Sequence, residues 1–269
     1  KAKYWCPDVN QGPPRWCQCI YSCPTSSTPP SPPSSVLTPI TNENIKDAVK
    51  TCLFSKAGKY YVDGICYESE YGVMPDWDVS KVTDMQSLFS GYSSFNGNIT
   101  AWDVSSVTDM SNMFENANAF TQDLSDWDTS SLTRLYRIFY TSNANPKVAN
   151  WDVSRVTSMS EVFSHAYSFN QDISSWDVSS VTTMSEMFHN AGKYNQDLES
   201  WNTTLVTSMY HMFASTNSFN GKIGSWDVSH VTNMEWMFYN AKAFNQPVGK
   251  WDVSRVQNMN YMFWSATVF

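Results

Sequence analysis

The sequence predicts an α/β repeat solenoid, in which eight coils of about 25 residues stack behind an N-terminal helix and hairpin cap. The first observation is a tryptophan that recurs at six spacings of 25 residues and one of 24: Trp77, Trp102, Trp127, Trp151, Trp176, Trp201, Trp226 and Trp251. The second is a phenylalanine 12 residues after the tryptophan in every copy. A fixed period of this length is typical of units that bury their apolar faces only by stacking on neighbours.

We number positions within a copy as offsets from its tryptophan, so that Trp102 is at offset 0 and Phe114 at +12. The Trp-Asp-Val-Ser-x-Val-Thr segment is rich in β-branched residues and predicts a short strand or an extended turn. The following Met-x-x-Met-Phe segment predicts a short helix, capped by the Asp, Ser, Thr or Asn found at +7 in seven copies. Twelve of the 13 methionines lie at +8 or +11, which indicates a stacked core rather than a metal-binding face.

Residues 1–23 form a Cys-rich N-terminal segment that is too short to bury a core of its own. We expect disulfides to hold it, in an oxidising compartment. Its Cys-x-Cys-x3-Cys spacing differs from that of a zinc ribbon, which disfavours the alternative of a zinc site. The expected disulfide-forming residues of the chain are Cys6, Cys17, Cys19, Cys23, Cys52 and Cys66, and the pairing of the first four cannot be read from the sequence.

Residues 24–39 form a linker in which 14 of 16 residues are Pro, Ser or Thr. This composition favours extended polyproline II, either as an arm that reaches a neighbouring subunit or as a passive stalk. Ser and Thr beside Pro also suit O-glycosylation. The candidates are Thr25, Ser26, Ser27, Thr28, Ser31, Ser34 and Ser35.

Residues 40–76 are predicted to cap the first coil. Thr41 or Asn42 is expected to cap a helix whose apolar residues recur at helical spacing. Asp63-Gly64, between two short β-prone runs, predicts a type I′ hairpin turn. We expect a disulfide between Cys52 and Cys66 to tie the helix to the hairpin.

Charge and hydropathy exclude two classes of partner. The net charge is −8, and residues 1–76 hold seven acidic and seven basic residues, so the repeats of residues 77–269 carry the whole excess. Without a cluster of Lys or Arg, we exclude nucleic acid as a partner. No apolar run approaches the roughly 20 residues needed to span a bilayer. The start at Lys1 without a signal-peptide core indicates a processed mature form.

The pattern WDVSxVTxMxxMFxxAxxFNxDIxxW resembles the repeats of the BspA-like leucine-rich-repeat surface proteins, the group with mycoplasma-lipoprotein-type 25-residue repeats. The match covers Trp77 to Phe269. It implies a leucine-rich-repeat-like stack, secreted or surface-attached, linked with adhesion and without catalytic residues. The Pro/Ser-rich arm and the cysteines depart from the bacterial members, and resemble algal and other eukaryotic wall glycoproteins.

No catalytic constellation is recognisable. The four histidines, His165, His189, His211 and His230, fall at variable offsets, and HExxH, GxSxG and glycine-rich phosphate loops are absent from the sequence. We therefore expect no enzyme activity, no catalytic residue, no cofactor and no bound metal.

Two polar columns are expected to secure turns. Offset +1 is Asp in every copy except Asn202, and such side chains accept backbone N–H groups in Asx turns. A ladder of calcium ions is the alternative, disfavoured because glycine-rich calcium loops are absent. Asn at +19 is expected to form an amide ladder between coils, in Asn96, Asn170, Asn195, Asn220 and Asn245.

Asn98-Ile99-Thr100 and Asn202-Thr203-Thr204 are N-glycosylation sequons. In a secreted chain we expect Asn98 and Asn202 to carry glycans, although an Asn- and Ser/Thr-rich chain also produces such triplets by chance.

The best candidate interface is aromatic. Offsets +10 and +13 are expected to point outward, and in the last two copies they are aromatic, which marks an interface unless the rings pack on the coil exterior. Phe269 lies at an open end of the stack, which favours head-to-tail association. The predicted interface residues are Trp236, Tyr239, Tyr261, Trp264 and Phe269.

Together these features predict an extracellular, glycosylated structural or adhesive protein, secreted or associated with the cell surface. We expect a homo-oligomer that assembles into a surface layer or filament through end and side contacts and an exchanged Cys-rich arm. The alternative is a monomeric receptor-like module that binds a protein or glycan ligand on one face of the stack.

Overall fold

The computed structural model describes residues 37–54, 61–67 and 69–269. The predicted Cys-rich segment and residues 24–36 of the Pro/Ser/Thr-rich linker, and with them Cys6, Cys17, Cys19, Cys23 and all the O-glycosylation candidates, lie outside the described residues.

Helix α1, Ile45–Leu53, forms because its apolar residues recur on one face, where Ile45, Ala48, Val49, Cys52 and Leu53 are buried. The predicted capping residue is wrong by two or three positions: the N-cap is Asn44. The Asn44 Oδ1 accepts the backbone N–H of Thr41 at 2.8 Å, and the Thr41 carbonyl accepts the backbone N–H of Ile45. This reciprocal pair fixes the entry of the chain into the helix.

The predicted disulfide between Cys52 and Cys66 is confirmed and ties α1 to the turn around Gly64. That turn is not type I′, which needs positive φ at both central residues. The backbone N–H of Gly64 bonds the Tyr61 carbonyl, so Val62 and Asp63 are central, and only the following Gly64, with φ of 73°, is left-handed. A short 3₁₀ helix, Met74–Asp76, leads into the first copy.

The region before Trp77 gives the first copy the contacts that a preceding copy gives to later ones. The Asn42 Oδ1 accepts the backbone N–H of Thr83 at 2.9 Å, where later copies use a threonine carbonyl, as in the 2.8 Å bond from Thr108 to Thr83. The Val62 carbonyl accepts the backbone N–H of Asn96 at 2.8 Å. Polar groups at the start of the stack are thereby satisfied.

Neighbouring copies are joined by backbone hydrogen bonds that alternate along offsets +8 to +14. In the second copy the N–H groups of Met110, Asn112 and Phe114 donate to carbonyls of the third copy. The N–H groups between them, on Met113 and Glu115, donate three residues back within their own copy. Each copy is therefore registered against the next by backbone as well as by side chains.

The short helix predicted at these offsets does not form in residues 77–269, all of which the structure describes. The residue at +10 has positive φ in every copy, from 53° at His211 to 59° at Asn112. A right-handed α-helix requires negative φ and N–H groups that bond carbonyls within the same helix. Here the N–H groups at +8, +10 and +12 of most copies already donate to carbonyls of the next copy. The segment from offset 0 to +6 is extended with a turn and contains no strand, and single-residue parallel bridges lie just after it at +7, as between Asp84 and Asp109 and between Ser158 and Thr183.

The core of the repeats is a set of stacked aromatic columns. The +12 phenylalanines stack on one another with ring centroids 5.4 to 5.8 Å apart through all eight copies. In most copies they also stack on the +18 ring of their own copy, as Phe213 does on Phe219 at 3.9 Å. The methionines at +8 and +11 are buried in the copies that lie between neighbours, as predicted.

Candidate functional site

The left-handed residue at +10 decides which side chains face outward. Its backbone forms the turn between two inward columns, so its side chain stands beside those at +9, +13 and +14 on one edge of the stack. In the first two copies these positions are small or polar, with Ser87 and Asn112 at +10. From the third copy onward they carry rings.

These rings form an unbroken row through six copies, which we call the aromatic row. Its centroids lie 5.6 Å apart from Tyr140 to His165, 4.8 Å from His165 to His189 and 5.3 Å from His189 to His211. They lie 5.6 Å apart from His211 to Trp236 and 4.5 Å from Trp236 to Tyr261. The members of the row are Tyr136, Tyr140, His165, Tyr167, His189, Tyr210, His211, Trp236, Tyr239, Tyr261 and Trp264.

The row contains four of the five predicted interface residues. Trp236 and Tyr239 are half-buried, and their rings meet nearly edge to face at 4.6 Å. Tyr261 and Trp264 are 49% and 57% exposed. Phe269 is not in the row, because its ring stacks on Phe263 at 4.0 Å and continues the +18 core column.

Three of the four histidines belong to the row. The sequence pattern indicated His211, which lies at the outward offset +10, and did not indicate His165 or His189. The three histidines lie at offsets +14, +13 and +10 of successive copies. Because they share no offset, aligning the copies by offset does not place them together. Burial lowers the pKa of His165 and of His211, and the neighbouring His189 lowers both pKa values further. His230 lies outside the row, exposed beside Ser229.

Carboxylates line the row. Glu161 accepts hydrogen bonds from the Tyr136 hydroxyl at 2.9 Å and the Arg137 Nε at 2.7 Å. The Glu186 carboxylate lies 3.2 Å from His189 Nδ1, and Glu235 accepts a bond from the Trp236 indole nitrogen. The surface is thus aromatic and acidic.

The two polar columns secure turns as predicted. The +1 carboxylates accept the backbone N–H two residues on, as Ser80 donates to Asp78 at 3.0 Å. Hydrogen bonds from the serine hydroxyl and backbone hold the pKa of Asp78, Asp128, Asp177, Asp227 and Asp252 below its usual value. The amide ladder is also formed, since Asn220 Oδ1 accepts the backbone N–H of Asn245 at 2.9 Å.

Both sequon asparagines are exposed. The Asn98 Oδ1 accepts the backbone N–H and the hydroxyl of Thr100, at 3.1 and 2.8 Å. Asn202 makes the same pair of bonds with Thr204, at 3.2 and 2.7 Å.

Within the described ranges, no three His, Cys, Asp or Glu side chains converge in a way that would hold a metal ion. The helices found there are also too short or too polar to cross a membrane.

The family described as "Mycoplasma protein of unknown function, DUF285" matches residues 66–145, 135–227 and 199–269, which together cover most of the chain. The chain belongs to this family. The matched segments span the stacked copies and include the whole aromatic row. Neither a curated protein nor a solved structure matches the chain.

Proposed function

We propose that this protein is an extracellular adhesive repeat protein, related to the BspA-like leucine-rich-repeat proteins, whose stack is a solenoid that binds a protein or glycan ligand along the aromatic row. The observation that carries the proposal is the continuity of the row from Tyr140 to Tyr261. Rings gathered on one edge of a surface that is otherwise rich in Ser, Thr and Asn have the composition of an interface.

The scaffold supports this role because the residues that hold the fold together differ from the residues that would contact a ligand. The inward columns are nearly invariant from copy to copy, whereas the residues at +9, +10, +13 and +14 vary. Substitution at these offsets leaves the core intact, so the residues of the row can vary to suit a ligand without loss of the fold. Variable residues on a rigid scaffold are the usual carriers of binding.

The test is adhesion of the full chain to immobilised glycans and extracellular-matrix proteins. A row variant combines Tyr210→Ser, Trp236→Asn and Tyr239→Ser, each introducing a residue that other copies carry at the same offset. The control is Tyr67→Ser, which removes a 77% exposed tyrosine outside the row. We expect the row variant to lose adhesion and the control to retain it; equal adhesion of both would refute the proposal.

Self-assembly into a surface layer or filament is the second candidate. It is favoured by the backbone ladder between copies, because the same pattern of N–H and carbonyl groups could also pair one molecule with another. Exchange of the Cys-rich arm between neighbouring subunits would add a link between them, either through disulfides or through the crossing of the two chains. Light scattering of the full chain after size exclusion tests it: a mass that rises with concentration is expected, and a constant monomer mass would refute it.

An extracellular location further predicts glycans at Asn98 and Asn202. The support is their exposure and the Asx-type hydrogen bonds from Thr100 and Thr204, which engage the Oδ1 atom of each asparagine. Enzymatic deglycosylation followed by intact-mass measurement tests this on material from the native source. Unmodified asparagines at both sites would count against the extracellular assignment.

A further inference from the structure

The row already holds one cation, supplied by the chain itself. The guanidinium carbon of Arg137 lies 5.0 Å from the ring centroid of Tyr136 and 4.7 Å from that of Tyr140. Its nitrogens reach the Glu161 carboxylate at 2.6 and 2.7 Å. Two aromatic faces and one carboxylate therefore enclose a guanidinium, an arrangement in which cation–π and charge-assisted bonds act together.

The same kinds of groups recur further along the row. Tyr210 and His211 stack at 4.1 Å, and Trp236 and Tyr239 meet at 4.6 Å. Glu235 lies beside the Trp236 indole, within bonding distance. We call these five residues, together with Glu186, the second cluster.

Two carboxylates lie at the second cluster. Glu235 accepts hydrogen bonds from the Trp236 indole nitrogen at 3.2 Å and from the Asn258 amide nitrogen at 2.8 Å. The Glu186 carboxylate lies 3.2 Å from His189 Nδ1, and the His189 ring is 5.3 Å from that of His211. Burial raises the pKa of Tyr210, and the negative charges of Glu186 and Glu235 raise it further. No Lys or Arg of the described residues lies over Tyr210, His211, Trp236 or Tyr239. The second cluster has the rings and carboxylates of the Arg137 environment, without a cation from this chain.

We propose that the second cluster binds the guanidinium group of an arginine side chain in an extended segment of a partner protein. This rests on the proposed function of the row and specifies its ligand. The excess of acidic residues in the repeats attracts such a segment at long range. Guanidinium is the favoured cation because it is planar, weakly hydrated and stacks on rings while it bonds a carboxylate.

The probe is a fluorescein-labelled peptide of alternating Gly and Arg, compared with a peptide in which citrulline replaces each arginine. Citrulline keeps the shape and planarity of the side chain and removes its charge. Fluorescence anisotropy with the full chain should give binding of the arginine peptide at least about tenfold tighter than that of the citrulline peptide. Equal affinity for the two peptides would overturn the proposal.

Carboxylate variants locate the site. The double variant Glu186→Gln, Glu235→Gln should weaken binding of the arginine peptide by about tenfold. The matched control is Glu199→Gln, an exposed carboxylate whose side chain lies outside the row. If the control weakens binding as much as the double variant, the interaction is general charge attraction and the assigned site is wrong.

Arg137 provides an independent check. Arg137→Asn introduces the residue that the second copy has at the same offset, Asn112, with a similar φ of 59° against 55°. Removal of the internal guanidinium should expose the first set of rings and Glu161, and the number of bound peptides per chain should rise from one to two. An unchanged stoichiometry would show that the two environments are not equivalent.

These outcomes separate the two proposals. If the row variant loses adhesion to glycans or matrix proteins while the arginine and citrulline peptides bind alike, the row is the binding surface and its ligand is not an arginine segment. If the row variant adheres normally, the proposed function itself fails.

Discussion

The indole nitrogen of Trp226 donates a 2.8 Å hydrogen bond to the carbonyl oxygen of Leu198, which lies 28 residues earlier in the chain. Six tryptophans of the stack, from Trp102 to Trp226, make the equivalent bond to a carbonyl 27 or 28 residues earlier. The column thus supplies both apolar area and a second hydrogen bond to a carbonyl that also accepts a backbone N–H. Across the 24-residue spacing Trp151 still stacks on Trp127 and bonds the Leu124 carbonyl at 2.9 Å.

Trp226→Phe should destabilise the protein by about 2–4 kcal/mol, because it removes ring volume and one of the two hydrogen bonds that the Leu198 carbonyl accepts, the other coming from the Trp201 backbone N–H. The matched control is Trp251→Phe. The Trp251 indole nitrogen has no partner among the described residues, and its side chain is 9% exposed. Denaturation with guanidinium chloride measures both, and a loss at Trp251 equal to that at Trp226 would contradict the role of the hydrogen bond.

Tyr194→Phe should stabilise the protein by about 1 kcal/mol. Tyr194 occupies +18, where most other copies have Phe, and its buried hydroxyl has no hydrogen-bond partner in the part of the chain that the structure describes. Burial raises the pKa of this phenol well above its usual value. Tyr167→Phe, at a 46% exposed ring, is the control and should leave the melting temperature unchanged. A destabilised Tyr194→Phe protein would mean that the hydroxyl is satisfied.

Gly221→Ala should destabilise the protein by about 1–3 kcal/mol, because the added methyl group would overlap the backbone carbonyl of Gln196 in the preceding copy. Gly192 has open space around its Cα and no positive φ. Gly192→Ala should therefore be neutral or stabilising by about 0.4–1 kcal/mol. Thermal unfolding of the pair measures the contrast, and similar melting temperatures would contradict the close approach of the copies at Gly221.

Stability should fall as the pH drops below about 6.5, the ordinary histidine pKa. The folded-state pKa values of His165 and His211 are lowered, so below pH 6.5 the unfolded chain binds more protons than the folded one. Proton binding then favours unfolding. Melting temperatures at pH values of about 7.5 and about 5.5 measure the loss.

The variant His165→Asn, His211→Asn should lose part of this pH dependence. Asn stands at the same offsets in other copies with the same left-handed backbone, at Asn190 and Asn112. The same drop in melting temperature in wild type and double variant would show that other groups cause it.

The periodic features could be predicted from the sequence because each depends on one type of residue that recurs at one offset in successive copies. The inward Trp, Met and Phe residues, the Asx turns and the amide ladder follow from residue type at a fixed spacing. In the third copy, which is one residue shorter than the copies before and after it, prediction by offset fails. Its missing residue moves Asn145 off the +19 column, yet the Asn145 Oδ1 accepts the Asn170 backbone N–H at 3.0 Å and joins the third copy to the ladder of the later ones.

The repeat, its buried columns and the disulfide between Cys52 and Cys66 could be predicted from the sequence, because they depend on spacing and hydrophobicity along one chain. The tertiary structure decided the local backbone, since hydrogen bonds to the next copy replace the helix that Met-x-x-Met-Phe spacing predicted. It also decided the candidate site. His165, His189 and His211 share no offset, and only the stacking of left-handed turns in consecutive copies brings their rings into one row.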